Sequence, residues 1–346
     1  MMGFQNFDIS LALKQKIINM FIFLIILNIA VWVLAFYIFK GNSQLLALTL
    51  LAYGFGLRHA VDADHIAAID NVTRKFMQEN KKPVAIGFFF SLGHSSVVII
   101  MSFFVALGTI YMQNNLPAFQ KIGGLIGLSI SSLFLLAIAF INLIIFLDIY
   151  KVFRGYKKNP VYDNDQLEEL LNKKGLLNRI FRPLFKFINK SWHMYIVGFL
   201  FGLGFDTATE IALLGIAASQ AVHGESMWII MVYPLVFMAG MCLIDTIDGI
   251  LMLGIYGWAF MKPMRKLFYN MTITMVSFLI AFVIGGFEAL CVISMQFKFK
   301  GDFWNFINKV NDNFGILGYV IIGIFIISWL ISTIIYKYSK INTSTG

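Results

Sequence analysis

Charge is scarce in this chain: only 13% of its 346 residues are Asp, Glu, Lys or Arg, against about 25% in soluble domains. Cysteine is nearly missing. Cys242 and Cys291 lie in apolar stretches without C-x-x-C spacing, which excludes a disulfide framework and a zinc knuckle. Cys242 shares a helical face with Asp245, where a small packed residue is the simpler reading than a soft ligand. The five histidines are too few for a di-iron membrane oxidase or desaturase, and the absence of H-E-x-x-H argues against a zinc protease. No G-x-x-x-x-G-K-[ST] loop occurs, so this chain does not hydrolyse ATP. An intramembrane aspartyl protease, the remaining enzyme alternative, would use a Gly-x-Gly-Asp turn. Gly202-Leu203-Gly204-Phe205-Asp206 has one residue too many.

What the chain has in excess is apolar surface. Hydrophobic residues make up 59% of it, and Phe alone occurs 36 times. Apolar windows of the ~20 residues that a bilayer-crossing helix needs recur along its length. They predict an all-α membrane protein of eight transmembrane helices, spanning about 17–39, 45–70, 84–110, 122–147, 193–219, 228–258, 271–294 and 314–336. The first span is too long for a signal-peptide core and no small-residue cleavage site follows it, so it reads as a retained helix. Residues 1–346 are expected to form one polytopic domain, with no soluble domain before or after the bundle.

The basic residues orient this bundle. With both termini inside, inner segments hold 21 of the 27 Lys and Arg residues and outer ones five; the last is Arg58. The inner set includes Arg74, Lys75, Lys81 and Lys82 after the second span, and ten residues between Lys151 and Lys190. By the positive-inside rule both termini are cytoplasmic. The net charge of +9 is thereby explained without nucleic acid. Residues 148–192 form the one sizeable polar segment. Apolar residues at roughly helical spacing (Leu167, Leu170, Leu171, Leu177, Ile180, Phe181) among Lys and Arg predict an amphipathic helix lying on anionic lipid.

Ionisable residues at membrane depth cost at least ~2.5–3.5 kcal/mol each and mark binding sites or pathways. The second span carries Arg58-His59-Ala60-Val61-Asp62-Ala63-Asp64-His65, whose imidazoles and carboxylates are the ligand types that divalent transition metals take. In an unbroken helix His59, Asp62 and His65 share a face and Asp64 turns away. Two readings of Asp64 follow. Either the helix is distorted after Gly56, or Asp64 orients a ligand from behind. The third span adds His94 within Ser91-Leu92-Gly93-His94-Ser95-Ser96. The fifth adds Asp206, Thr207 and Glu210, the sixth Asp245 and Asp248, and the seventh Glu288. Helix packing alone would more often use Ser, Thr or Asn than so many carboxylates, and a cation is the natural missing partner.

At these residues the chain resembles the secondary nickel/cobalt transporters, uptake permeases of eight helices. The family signature H-x4-D-H is met by His59, Asp64 and His65. Further motifs are met by Leu92 to Val98 (LGHSSVV), Leu203 to Glu210 (LGFDTATE) and Gly240 to Gly249 (GMCLIDTIDG). The resemblance implies uptake of Ni²⁺, Co²⁺ or both across a cytoplasmic membrane, here expected to be bacterial, with the helix 2 motif essential to transport. His59 and His65 are the first expected metal ligands, with His94, Asp62 and Asp64 next. Arg58, Asp206, Thr207, Glu210, Asp245, Asp248 and Glu288 are expected along a transit route or proton relay. Neither a resident cofactor nor an ATPase subunit is expected, and the partners are the metal ion and lipid. Ligand chemistry alone leaves Mn²⁺ and Zn²⁺ open as substrates. A weaker pattern aligns Ala63, Ile66 and Ala67 with Ala208, Ile211 and Ala212. It suggests that helices 1–3 and 4–6 are an inverted repeat, followed by two further helices.

Overall fold

The computed structural model describes residues 11–79, 81–107, 109–158, 188–203, 208–259, 263–311, 313, 316–321, 323–324 and 327. Every regular element among them is a helix: α1 (Leu11–Ile38), α2 (Ser43–His59), α3 (Ala63–Gln78), α4 (Ile86–Leu107), α5 (Thr109–Lys158), α6 (His193–Gly202), α7 (Ala208–Val222), α8 (Met227–Ile230), α9 (Val232–Ala259), α10 (Pro263–Phe297) and α11 (Asp302–Asn311). Among the described residues five stretches are long and apolar enough to cross a bilayer: Leu11–Ile38, Ile86–Leu107, Gly124–Leu147, Met227–Gly257 and Thr274–Phe297. They answer to the first, third, fourth, sixth and seventh expected spans. The second expected span is two helices, α2 and α3, and the fifth is divided between α6 and α7. Most of the eighth lies outside the described residues.

Burial is inverted relative to a soluble protein. Ile29, Val33 and Leu133 are 57%, 61% and 70% exposed, while Asp245 and His65 are fully buried. Apolar side chains facing outward suit a lipid solvent, which leaves every backbone group to be satisfied within the helices. The molecule is a membrane protein.

Asn42 opens α2, its Oδ1 accepting the Leu45 amide at 3.1 Å. The helix tightens at its other end, where the Val61 and Asp62 amides bond the Arg58 and His59 carbonyls three residues back. Asp62 then turns to extended backbone (ψ 146°) and becomes the N-cap of α3. An N-cap Asp ordinarily accepts an amide of the first helical turn. Here the carboxylate makes no such bond and reaches His59 instead. The backbone break frees this side chain for the site. Of the two readings of the second span, the distorted helix is the one found: the break lies at Ala60–Asp62, four residues beyond Gly56.

The sequence reading placed Arg74 and Lys75 in an inner loop, but α3 runs on to Gln78 and buries both. Asp70, Asn71 and Arg74 find polar partners across neighbouring helices, which makes that extension tolerable. Likewise α5 continues to Lys158, so the start of the expected 148–192 loop is helical. The amphipathic helix expected there falls mainly in residues 159–187, outside the described residues.

α9 is the central element, packing against α1, α2, α3 and α4. In lipid the apolar surface gives no driving force for association, so close backbone contact and polar bonds must hold helices together. Gly56 on α2 lies against the Phe237 carbonyl and Gly87 on α4 against the Asp245 carbonyl. A Cβ at either position would overlap that oxygen. These two glycines bring α9 close enough for Asp245 to reach α3 and α4.

Candidate metal centre

His59 ends α2, His65 lies in the first turn of α3, and His94 sits mid-way along α4. Their ligand atoms all fall within 4.8 Å of one another. Each residue is at most 3% exposed. His59 stands edge to face with His65 and with His94, centroids 4.7 Å apart in each pair, and His65 and His94 are tilted to each other at 4.8 Å. Phe90 packs against His65 and Phe237 against His59, which walls the cluster with apolar surface.

Carboxylates fix two of the imidazoles from behind. His59 Nδ1 donates to Asp62 Oδ2 at 2.9 Å, with Thr209 Oγ1 at 3.3 Å from the same nitrogen. His65 Nδ1 lies 3.3 Å from Asp245 Oδ2, and that oxygen also accepts the Ser91 hydroxyl at 2.6 Å. A proton on each Nδ1 leaves Nε2 with its lone pair, the arrangement by which carboxylates orient metal-binding histidines and raise their basicity. His65 Nε2 has no hydrogen-bond partner. His59 Nε2 faces His94 Nε2 at 2.9 Å, and Glu210 Oε1 lies 2.8 Å from His94 Nε2 and 3.8 Å from His59 Nε2. A proton on His94 Nε2 satisfies only one of the two acceptors facing it. Three imidazole nitrogens and a carboxylate oxygen therefore converge in a buried enclosure, walled in part by Phe90 and Phe237. Such a donor set suits a divalent transition ion, while Mg²⁺ or Ca²⁺ would want oxygen alone.

The expected site residues separate into groups. His59, His65 and His94 come together as expected. Asp62 stands behind His59, on the nitrogen that faces away from the other rings. Asp64 is partly buried in the first turn of α3, and its charge acts on all three imidazoles. Arg58 is exposed, and of the group it is Asp62 on which its charge acts. Glu210 and Asp245, expected along a route elsewhere, lie in the cluster itself. Asp248 is buried one turn along α9. Glu288 accepts the Ser131 hydroxyl at 2.9 Å in the contact between α5 and α10, away from the histidines. Asp206 and Thr207 lie outside the described residues.

Sequence reasoning missed a second buried polar group, around Asp70 and Arg74. The signal was available: both lie in the same helical run as His65, on a face with Asn71. Arg74 reads as loop because basic residues after a span are ordinarily counted there.

Residues 45–335 match the family model described as NicO, high-affinity nickel-transport protein. A high-affinity nickel transport protein of Cupriavidus necator is 51% identical over 331 residues, covering 96% of this chain and 94% of the relative. The nickel transporter NixA of Staphylococcus aureus is 44% identical over 87% of this chain and 88% of its own. A cobalt transport protein, NhlF of Rhodococcus rhodochrous, is 36% identical over 81% of this chain and 80% of its own. No solved structure matches the chain.

Proposed function

The chain belongs to the high-affinity nickel-transport family, a family of transporters and not of enzymes, and from that premise we propose that it takes up Ni²⁺, with Co²⁺ as an alternative cargo, across the cytoplasmic membrane. The observation that carries this reading is the three-histidine cluster at the α2–α3 break, whose ligand atoms lie within 4.8 Å of one another. His59 Nε2, His65 Nε2, His94 and Glu210 Oε1 are the ligands; Asp62 and Asp245 orient two of the rings. Asp64 adds negative charge beside the cluster. That charge lowers the cost of holding a dication among neutral imidazoles in a low-dielectric interior.

Uptake needs no nucleotide. An inside-negative potential contributes about 2.3 kcal/mol per charge per 100 mV, and twice that for a divalent ion. Loading requires neutral imidazoles, so any proton on His94 leaves as the ion binds, which links metal occupancy to protons. Both termini face a bacterial cytoplasm, and eight spans with a 3+3 inverted repeat complete the bundle.

X-ray absorption at the nickel edge of the purified chain, loaded with one equivalent of Ni²⁺, tests the ligand set. Multiple scattering from imidazole is expected, and it should weaken in His65→Ala. A shell made of oxygen alone would contradict the assignment.

A further inference from the structure

α3 and α9 run side by side in the same direction. His65 faces Asp245, Ile69 lies close to Gly249, and Asp70 accepts the hydroxyl of Tyr256. Leading from the histidines toward the cytoplasmic ends of these helices is therefore a row of three buried carboxylates: Asp245, Asp248 and Asp70, at 0%, 6% and 0% exposure. Asp245 is bound to the cluster. Asp70 also accepts the Ser277 hydroxyl of α10 at 2.9 Å. Asp248 lies between them, and neither of its oxygens has a hydrogen-bond partner, although the charges of both Asp245 and Asp70 act on it.

A carboxylate buried without a donor is costly and calls for a cation or a proton. The nearby fixed cation is Arg74, one turn beyond Asp70. Its guanidinium donates to Thr274 Oγ1 at 2.8 Å and to Asn142 Oδ1, and among the described residues it makes no ion pair with a carboxylate. Neutral partners thus hold Arg74 back from the two aspartates, close enough for its charge and that of Asp70 to interact. One positive charge faces a group with room for more.

We propose that Asp248 and Asp70, with the Tyr256 hydroxyl, form a second station for a divalent cation, lined by oxygen and inward of the histidine site. This rests on the reading of the histidines as the first station. The donor sets differ in the sense that directed release requires. Imidazole nitrogens hold Ni²⁺ or Co²⁺ firmly, and carboxylate oxygens hold the same ions more weakly. Arg74 at the inner edge repels the ion and keeps its stay brief. A dication leaving His65 meets Asp245 and Asp248 before Asp70, and Tyr256 and Ser277 supply the oxygens that share it at the last position.

Equilibrium dialysis of the purified full-length chain against Ni²⁺ tests this. The wild type should bind two ions, one strongly and one weakly. Asp248→Asn should weaken the second by more than about tenfold and leave the first intact. Asp248 has no hydrogen bond to lose, so this variant keeps the fold; Asp70→Asn and Tyr256→Phe should follow it. His65→Ala should weaken the strong site and spare the weak one. A wild-type chain that binds a single ion, or an Asp248→Asn chain with two unchanged sites, overturns the second station. A His65→Ala chain with an unchanged strong site would instead overturn the assignment of the first.

Discussion

Asp62 illustrates how one residue can serve geometry twice. Its backbone ends one helix turn and caps the next helix, while its carboxylate holds the His59 ring by Nδ1 at 2.9 Å. Groups in this position behind a metal-binding histidine typically cost about 10–100-fold in affinity when removed. Asp62→Asn keeps the size and the capping backbone but loses the charge that fixes the tautomer. Radiolabelled Ni²⁺ uptake should show a KM raised by about 10–100-fold with the protein still inserted at normal levels; an unchanged KM would show that Asp62 does not set the ring. His59 and His65 were legible in the sequence as imidazoles beside carboxylates within an apolar run, and His94 only in their company, because a lone intramembrane histidine serves helix packing equally well. Glu210 and Asp245 were legible as carboxylates at membrane depth but not as neighbours of the histidines. Their distances to His59, His65 and His94 are set by how α7 and α9 fold against α2–α4, and no spacing within one helix encodes that. Arg74 was misplaced for a related reason: its partners Thr274 and Asn142 are remote in sequence, so nothing local announces that it is buried.

The elements that matter most are those that do not run straight. α2 and α3 divide one expected span at Ala60–Asp62, and the break brings His59 and His65 to face each other across it. The helical spacing of residues 59–65 pointed to one shared face. The real arrangement needs the chain to leave the helix, and Gly56 and the charged residues after it gave the hint. α9, by contrast, is unbroken from Val232 to Ala259 and acts as the wall against which the others are placed. Gly87 sets its distance from α4, with the Asp245 carbonyl directly over the glycine. Gly87→Val should force the two helices apart, costing about 1–3 kcal/mol as overpacking usually does. It should also separate Ser91 and His65 from Asp245. Thermal unfolding in detergent should show a lowered midpoint, and Ni²⁺ affinity should fall with it. A full-affinity Gly87→Val protein would contradict the role given to this contact.

At the scale of the molecule, the pattern is a lipid-facing shell around a polar axis. α1 exposes most of its apolar side chains, with 17% of its apolar window buried, while the ionisable residues gather on α2, α3, α4, α7 and α9. That inversion, the all-helical class and most span positions were legible from hydropathy, because the bilayer imposes both length and composition. The packing order of the helices was not, since in lipid it depends on small residues and polar bonds that can be placed only once neighbours are known. The central claim is that this assembled bundle moves Ni²⁺ inward through the histidine site without nucleotide, drawn by the membrane potential. Its most direct test is Ni²⁺ influx into proteoliposomes of the purified chain, with an imposed inside-negative potential and no nucleotide. The wild type should accumulate the ion and His65→Ala should not. Equal influx through both proteins, or none in the wild type until ATP is supplied, would contradict it.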